Sequence, residues 1–155
     1  MGSAYYVPSI NLKANLRITD NTSVYASELN AILMALSWTR ETNTKDIVIF
    51  SDSLSALQSL KYGISITRPN LLQAIITLLM EINQAMGTVT FAWIPSHVGV
   101  RGNETVDMEA KMALTKPAVE SDIKLELQET KNIINNRVNN QWQEYWNKIS
   151  HRKPL

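Results

Sequence analysis

Three carboxylates and one histidine are the residues of this chain best placed to do chemistry. Glu28 lies at the edge of an apolar stripe, four residues before Ile32. Asp52 stands at the carboxyl end of the apolar run Ile47-Val48-Ile49-Phe50, the end at which open α/β sheets place their ligands. Asp107 falls one turn into a helical pattern, after a loop with Pro95, His97, Gly99 and Gly102. Each acid has an ordinary reading by itself. Glu28 reads as an exposed acid early in a helix, Asp52 as a helix cap, and Asp107 as a residue favoured by the helix dipole. Together they allow another reading, in which a helix, a strand end and a second helix bring carboxylates to one site. Oxygen-only clusters of that kind suit Mg²⁺ or Mn²⁺, and paired ions suit in-line phosphoryl chemistry.

His97, between Ser96 and Gly99, belongs to a loop and not to a core stripe. It reads either as an exposed loop residue or as a neutral-pH titrator that moves protons or helps a product leave. Competing chemistries are poorly supported. Cysteine is absent and His151 is remote from His97, which leaves no zinc set, thiol nucleophile or disulfide framework. The five glycines are scattered, without a glycine-rich turn to cradle phosphate. Ser53 lacks the glycine-flanked elbow of a serine nucleophile.

The elements that must position these residues are legible as periodicity. Tyr5 to Val7 and Leu12 to Ile18 read as a hairpin, with Leu12, Ala14, Leu16 and Ile18 alternating with polar partners and turn chemistry at Pro8, Ser9 and Asn11. Capping residues in Asp20 to Ser23 precede a helix with Leu29, Ile32, Leu33 and Leu36 on one stripe. Ile47 to Phe50 shows no polar alternation and predicts a strand covered on both faces. A short helix follows over Ser53 to Leu60. Pro69 opens a longer one, striped by Leu72, Ile75, Ile76, Leu79 and Ile82 and stopped at Gly87. Thr88 to Ile94 alternates as a strand with Val89, Phe91 and Trp93 on one face, and Asn103 to Leu114 reads as a helix. Beyond Pro117, Ile134, Val138, Trp142, Tyr145, Trp146 and Ile149 recur at helical spacing. This tail reads as a helix packed on the domain or a partner, or as an aromatic nucleic-acid platform. The order β-β-α-β-α-α-β-α plus a helical tail is that of a mixed α/β domain.

The 155 residues, 45% hydrophobic and 19% charged, fit one globular domain with a short appendage and exclude a disordered or collagen-like chain. No apolar run reaches the roughly 18–20 residues of a membrane-spanning helix, and Met1 to Lys13 lacks the pattern of a secretory signal. No membrane partner is expected. An intracellular location is the expectation, with nucleus and cytoplasm both open. A net charge of +1 neither announces nor excludes a nucleic-acid partner.

The segments SVYASELNAI, IVIFSDSLSALQSL and FAWIPSHVGVRGNETVDMEAKMAL resemble, in consistent order, three blocks of type I ribonuclease H. The third is the most specific, combining Trp93, Pro95, His97, Gly99, Gly102-Asn103-Glu104 and Asp107. The flavour is that of the ribonuclease H domain of non-LTR retrotransposons and related reverse-transcriptase-derived proteins, and the resemblance runs from Met1 to Leu114. It implies a ribonuclease H-like mixed sheet with helices on both faces over residues 1–116, and a helical extension over 117–155. It also implies hydrolysis of the RNA strand of an RNA/DNA hybrid with two Mg²⁺ or Mn²⁺ ions. The family's second, third and fourth acids map onto Glu28, Asp52 and Asp107 as metal ligands, and its loop histidine onto His97. Asn103 and Ser53 take substrate-side roles, Glu104 a loop or structural one, and a reverse-transcriptase polyprotein is the expected parent.

One departure stands out. The family's first strand, with the first catalytic Asp at its end, precedes the strand that GSAYYVPS matches, and no Asp precedes Asp20 in this sequence. Asp20 sits in the polar loop before the Glu28 helix and is no substitute. The expectation is a fragment of a longer polyprotein or gene, with catalysis impaired. Alternatively Tyr5 to Val7 shifts to pair with Ile47 to Phe50 and closes the gap. Two other functional readings remain: an inactive nucleic-acid-binding remnant, and an α/β interaction domain with no nucleic-acid role.

Overall fold

Alternation in the first twenty residues yields the hairpin. In a computed structural model, which describes residues 1–150, β1 (Gly2–Val7) pairs antiparallel with β2 (Leu12–Arg17), from Gly2 opposite Arg17 to Val7 opposite Leu12. A 3-10 turn over Pro8–Ile10 joins them, closed by Asn11 in the left-handed region at φ 50°. The run His151-Arg152-Lys153 lies outside the described residues. The strand begins at Gly2 rather than Tyr5, because Gly2, Ser3 and Ala4 offer too little apolar surface to register as a pattern. Their smallness has a purpose in the fold. A β-carbon at Gly2 would collide with the Ala110 carbonyl, and the buried Ser3 hydroxyl donates to the Ser27 carbonyl at 2.9 Å.

Helix α1 (Val24–Glu41) starts at Ser23, whose hydroxyl accepts from the Ala26 N–H at 3.2 Å. Strand β3 (Ile47–Ser51) pairs in parallel with β4 (Val89–Trp93), and helices α2 (Leu54–Tyr62) and α3 (Pro69–Gln84) form the crossover between them. Helix α3 ends by an unexpected route. Met86, not Gly87, takes the left-handed conformation, at φ 62°. Gly87 is needed for close approach: a β-carbon there would stand 2.9 Å from the Ile82 side chain, while its N–H reaches the Ile82 carbonyl at 3.0 Å. Helices α4 (Arg101–Ala113) and α5 (Leu127–Ser150) follow and complete the described residues.

The core lies between α1 and α3. Leu29, Ile32 and Leu36 meet Ile75, Leu78 and Ile82, with Ile47, Ile49, Val89 and Phe91 packed beneath them. Helix α4 packs on the opposite side, against β1 and β2. The result is a mixed α/β fold with helices on both faces, as the sequence predicts.

Two expectations are corrected. The strands form two separate ladders, β1-β2 and β3-β4, so β1 does not shift to pair with β3. Nor is β3 covered on both faces: Val48 and Phe50 remain 52% and 63% exposed, because α4 sits over the hairpin instead. The segment after α4 returns to the domain. Ser121 bridges Ile18, the Glu120 N–H donates to the Arg17 carbonyl at 2.7 Å, and Ile123 is buried. Buried Glu129 pairs with buried Arg68. From Ile134 to Ile149 every residue of α5 is exposed, so its aromatic stripe faces away from the domain.

Candidate active site

The local sequence explains how each acid reaches its place. The Ser23 cap fixes the start of α1 and thereby puts Glu28 on the helix's second turn. Asp52 is the first residue beyond β3. It is not the cap of α2, because the Ser53 hydroxyl takes that task, accepting from the Ala56 N–H at 3.4 Å. The Asp52 carboxylate is thereby left for the site, where its Oδ2 accepts from Asn103 Nδ2 at 3.0 Å. Trp93 Nε1 donates to the Asp52 carbonyl at 3.3 Å and ties the ends of β3 and β4 together. Asp107 projects from the second turn of α4, with Oδ2 3.6 Å from His97 Nδ1. His97 is exposed on its loop with φ 55°, and Gly99 follows at φ 80°.

Glu28, Asp52, Asn103 and Asp107 all line one cavity of about 740 Å³ between β1 and β3. They sit at the end where β3 finishes. Thr44 to Asp46, where β3 starts, line the other end. Burial pushes the Glu28 carboxyl up from 4.5 to about 7, and the negative charges of Asp52 and then Asp107 add to the effect. The three acids therefore share one electrostatic field. A hard divalent cation suits this donor set in type and charge, since it would offset both the burial and the repulsion that raise the Glu28 carboxyl. The spacing is less complete. Among the described residues, no three acidic or histidine side chains are close enough together to hold an ion as they stand.

Asp20 and Glu109, by contrast, have structural partners. Asp20 pairs with Arg17 at 2.9 Å on the hairpin, and that hydrogen bond holds its carboxyl below the usual range. Glu104 is exposed in the first turn of α4. Glu109, which no sequence signal singles out, is buried and accepts from Asn15 Nδ2 at 2.7 Å, pinning α4 to β2. The orienting contact from Asn103 to Asp52 was equally hidden, since loop closure brings together residues with no common pattern. Among the described residues, no helix is long and apolar enough to cross a membrane. A sequence model of the RNase H family matches residues 2–115, from the first residue of β1 to just beyond α4, and the chain belongs to that family.

Proposed function

We propose that this member of the RNase H family hydrolyses the RNA strand of RNA/DNA hybrids at the acid cluster, and does so weakly as the chain stands. RNase H domains act on such hybrids and generally work with divalent ions such as Mg²⁺. In this reading Glu28, Asp52 and Asp107 would hold the metal, two Mg²⁺ or Mn²⁺ ions in the intact family site. Bound there, such ions supply Lewis-acid activation of water and charge stabilisation of the leaving oxygen. Asn103 keeps the Asp52 carboxylate turned toward the cavity, and Trp93 fixes the main chain from which it projects. His97, exposed beside Asp107, passes a proton between the site and solvent. Ser53 contributes by capping α2, with its substrate-side role secondary. The hybrid would be recognised through its minor groove, 2′-hydroxyls and backbone, not through base sequence.

The observation that carries this reading is that Glu28, Asp52 and Asp107, from three separate elements, line one cavity and share its electrostatic field. The proposed weakness follows from the spacing of the acids, since among the described residues no three acidic or histidine side chains are close enough together to hold an ion as they stand. We assign residues 1–116 to the ribonuclease domain and 117–155 to an extension, within a reverse-transcriptase-derived parent of retroelement type. A labelled RNA/DNA hybrid tests the activity. Slow Mg²⁺-dependent cleavage that Asp52→Asn abolishes is expected, whereas vigorous turnover surviving Asp52→Asn would remove the assigned site. A second reading is favoured by the open spacing of the acids: an inactive remnant that binds nucleic acid. Hybrid binding with no cleavage at any Mg²⁺ or Mn²⁺ concentration would select it.

A further inference from the structure

Helix α5 is anchored to the domain at its start. Glu129, in its first turn, is buried against Arg68, and the Ser23 and Glu126 N–H groups donate to the same carboxylate at 2.6 and 3.0 Å. From Ile134 to Ile149, by contrast, every residue is exposed. That stretch is poorly suited to stand as a helix by itself. Asn132, Asn135, Asn136, Asn139, Asn140 and Asn147 fall within α5, and asparagine is a weak helix former because its amide competes for the backbone. Unpacked helices of about 15 residues are marginal in water even when rich in alanine. The stability of α5 has to come from covering an apolar face.

That face has a specific period. Asn135, Val138, Trp142, Tyr145 and Ile149 follow one another by alternating steps of three and four residues, the repeat of a coiled-coil seam. In heptad terms Asn135, Trp142 and Ile149 occupy a, and Val138 and Tyr145 occupy d. Ile134 at g and Trp146 at e widen the seam. The Trp142 and Tyr145 rings already meet edge to face, with centroids 6.2 Å apart. Arg137 and Glu144 lie at c, off the seam, and Lys148 at g borders it.

We propose that α5 pairs with α5 of a second copy of this chain as a short parallel two-stranded coiled coil, in register from Asn135 to Ile149. A stripe with this repeat is complementary to itself, since each a or d side chain enters a hole of the same pattern on the other helix. The area suffices. Ile134, Val138, Trp142, Tyr145, Trp146 and Ile149 range from 39% to 63% exposed. With about 150–250 Å² for each aromatic side chain, the stripe offers about 700 Å² per chain and roughly 1,400 Å² for the pair, within the roughly 1,200–2,000 Å² of stable interfaces. Asn135 selects the parallel arrangement, in which two buried amides lie side by side and bond each other. Nucleic acid suits the face less well. The aromatic rings could stack on bases, but Ile134, Val138 and Ile149 offer neither a flat ring nor a charge for phosphate.

Sedimentation velocity of the full chain at about 50 µM, above the micromolar limit for interfaces of this size, should show a dimer. Val138→Glu with Tyr145→Glu should make it monomeric, while Arg137→Gln, off the seam, should not. Register is read by cross-linking, since the chain contains no cysteine of its own. On oxidation Asn135→Cys should give a disulfide-linked dimer, whereas Asn140→Cys, at f on the outer face, should stay reduced. Asn135→Val, which replaces the amide pair with methyl groups, should tighten the dimer by at least about tenfold. A monomer at that concentration overturns the pairing, even one that binds single-stranded RNA through α5. So does a dimer that survives both glutamates, which places the contact elsewhere. Equal cross-linking from positions 135 and 140, or none from 135 in a dimer that the glutamates disrupt, overturns the parallel register. None of these outcomes depends on hybrid cleavage.

Discussion

Strand β3 borders two regions that could hardly be more different. On one side Ile47 and Ile49 join a closed core in which Leu29, Leu36 and Ile75 have no exposed surface. On the other, Val48 and Phe50 face a slot of about 740 Å³ that ends at three carboxylates. The sequence treats the two faces alike, as four apolar residues in a row. The difference arises because α1 and α3 close over one face, whereas α4 is committed to the hairpin. Stability is therefore concentrated in the α1-α3 layer, and the unspent apolar surface lies where the chemistry is.

Paired truncations can break this contrast. Leu36→Ala should cost about 3–4 kcal/mol of unfolding free energy, because it empties a sealed site that relaxes only in part. Phe50→Ala removes a larger side chain but should cost less than about 1 kcal/mol, since that ring already meets water. Urea denaturation of both variants decides it. Equal losses would mean that the slot is closed in solution.

A similar contrast exists between ion pairs. Arg68 is buried against Glu129 and also donates to the Lys124 carbonyl at 2.6 Å, whereas Arg40 and Glu81 pair at 3.0 Å in the open. Burial alone would raise the Glu129 carboxyl, but N–H donors from Glu126 and Ser23 and the Arg68 guanidinium outweigh it and hold it low. Arg68→Ala strands a buried carboxylate and should cost about 3 kcal/mol. It should also free the segment before α5, seen as faster proteolysis around Lys124. Arg40→Ala should cost less than about 1 kcal/mol.

Legibility in the sequence followed the range of the interaction. The hairpin, a helix cap within Asp20 to Ser23 and the two long apolar helices are local patterns, and each forms within a few residues of its expected bounds. The family's fold was carried by blocks that the eye can align, and so were the three acids that line one cavity. What could not be read depends on neighbours distant in the chain. Four apolar residues cannot say which face of β3 will be covered. Arg68 and Glu129 are 61 positions apart with no shared motif. Nor does Asn103 signal that it will reach Asp52. The α5 stripe reads as a packing face, yet from Ile134 to Ile149 it meets solvent, because amphipathic spacing specifies a face without specifying a partner.

The acid end of the slot offers a pH test of smaller size. In chelator, the folded chain keeps a proton on Glu28 up to about pH 7, while the unfolded chain releases it near 4.5. Folding is thus relatively favoured below 4.5, and that advantage is lost as pH rises through 7. Glu28→Gln should match the parent at pH 4 and exceed it by about 2 kcal/mol at pH 8, less than the full shift because water screens a half-buried group. Denaturation at the two pH values checks this. An identical difference at both would show that folding does not raise the Glu28 carboxyl.

The smallest effect separates the two roles open to Ser53. As the cap of α2, its hydroxyl satisfies one N–H at the helix start, so Ser53→Ala should cost about 1 kcal/mol. Ser53→Asp and Ser53→Asn preserve capping but change charge and shape beside Asp52, where a hybrid's phosphates would lie. A purely structural Ser53 predicts that Asn restores both stability and hybrid affinity. A residue that touches substrate predicts restored stability with affinity still reduced, more severely for Asp, whose added charge repels phosphate. Measuring melting temperature and hybrid binding on the same three variants therefore assigns the side chain to the helix it caps or to the bound hybrid.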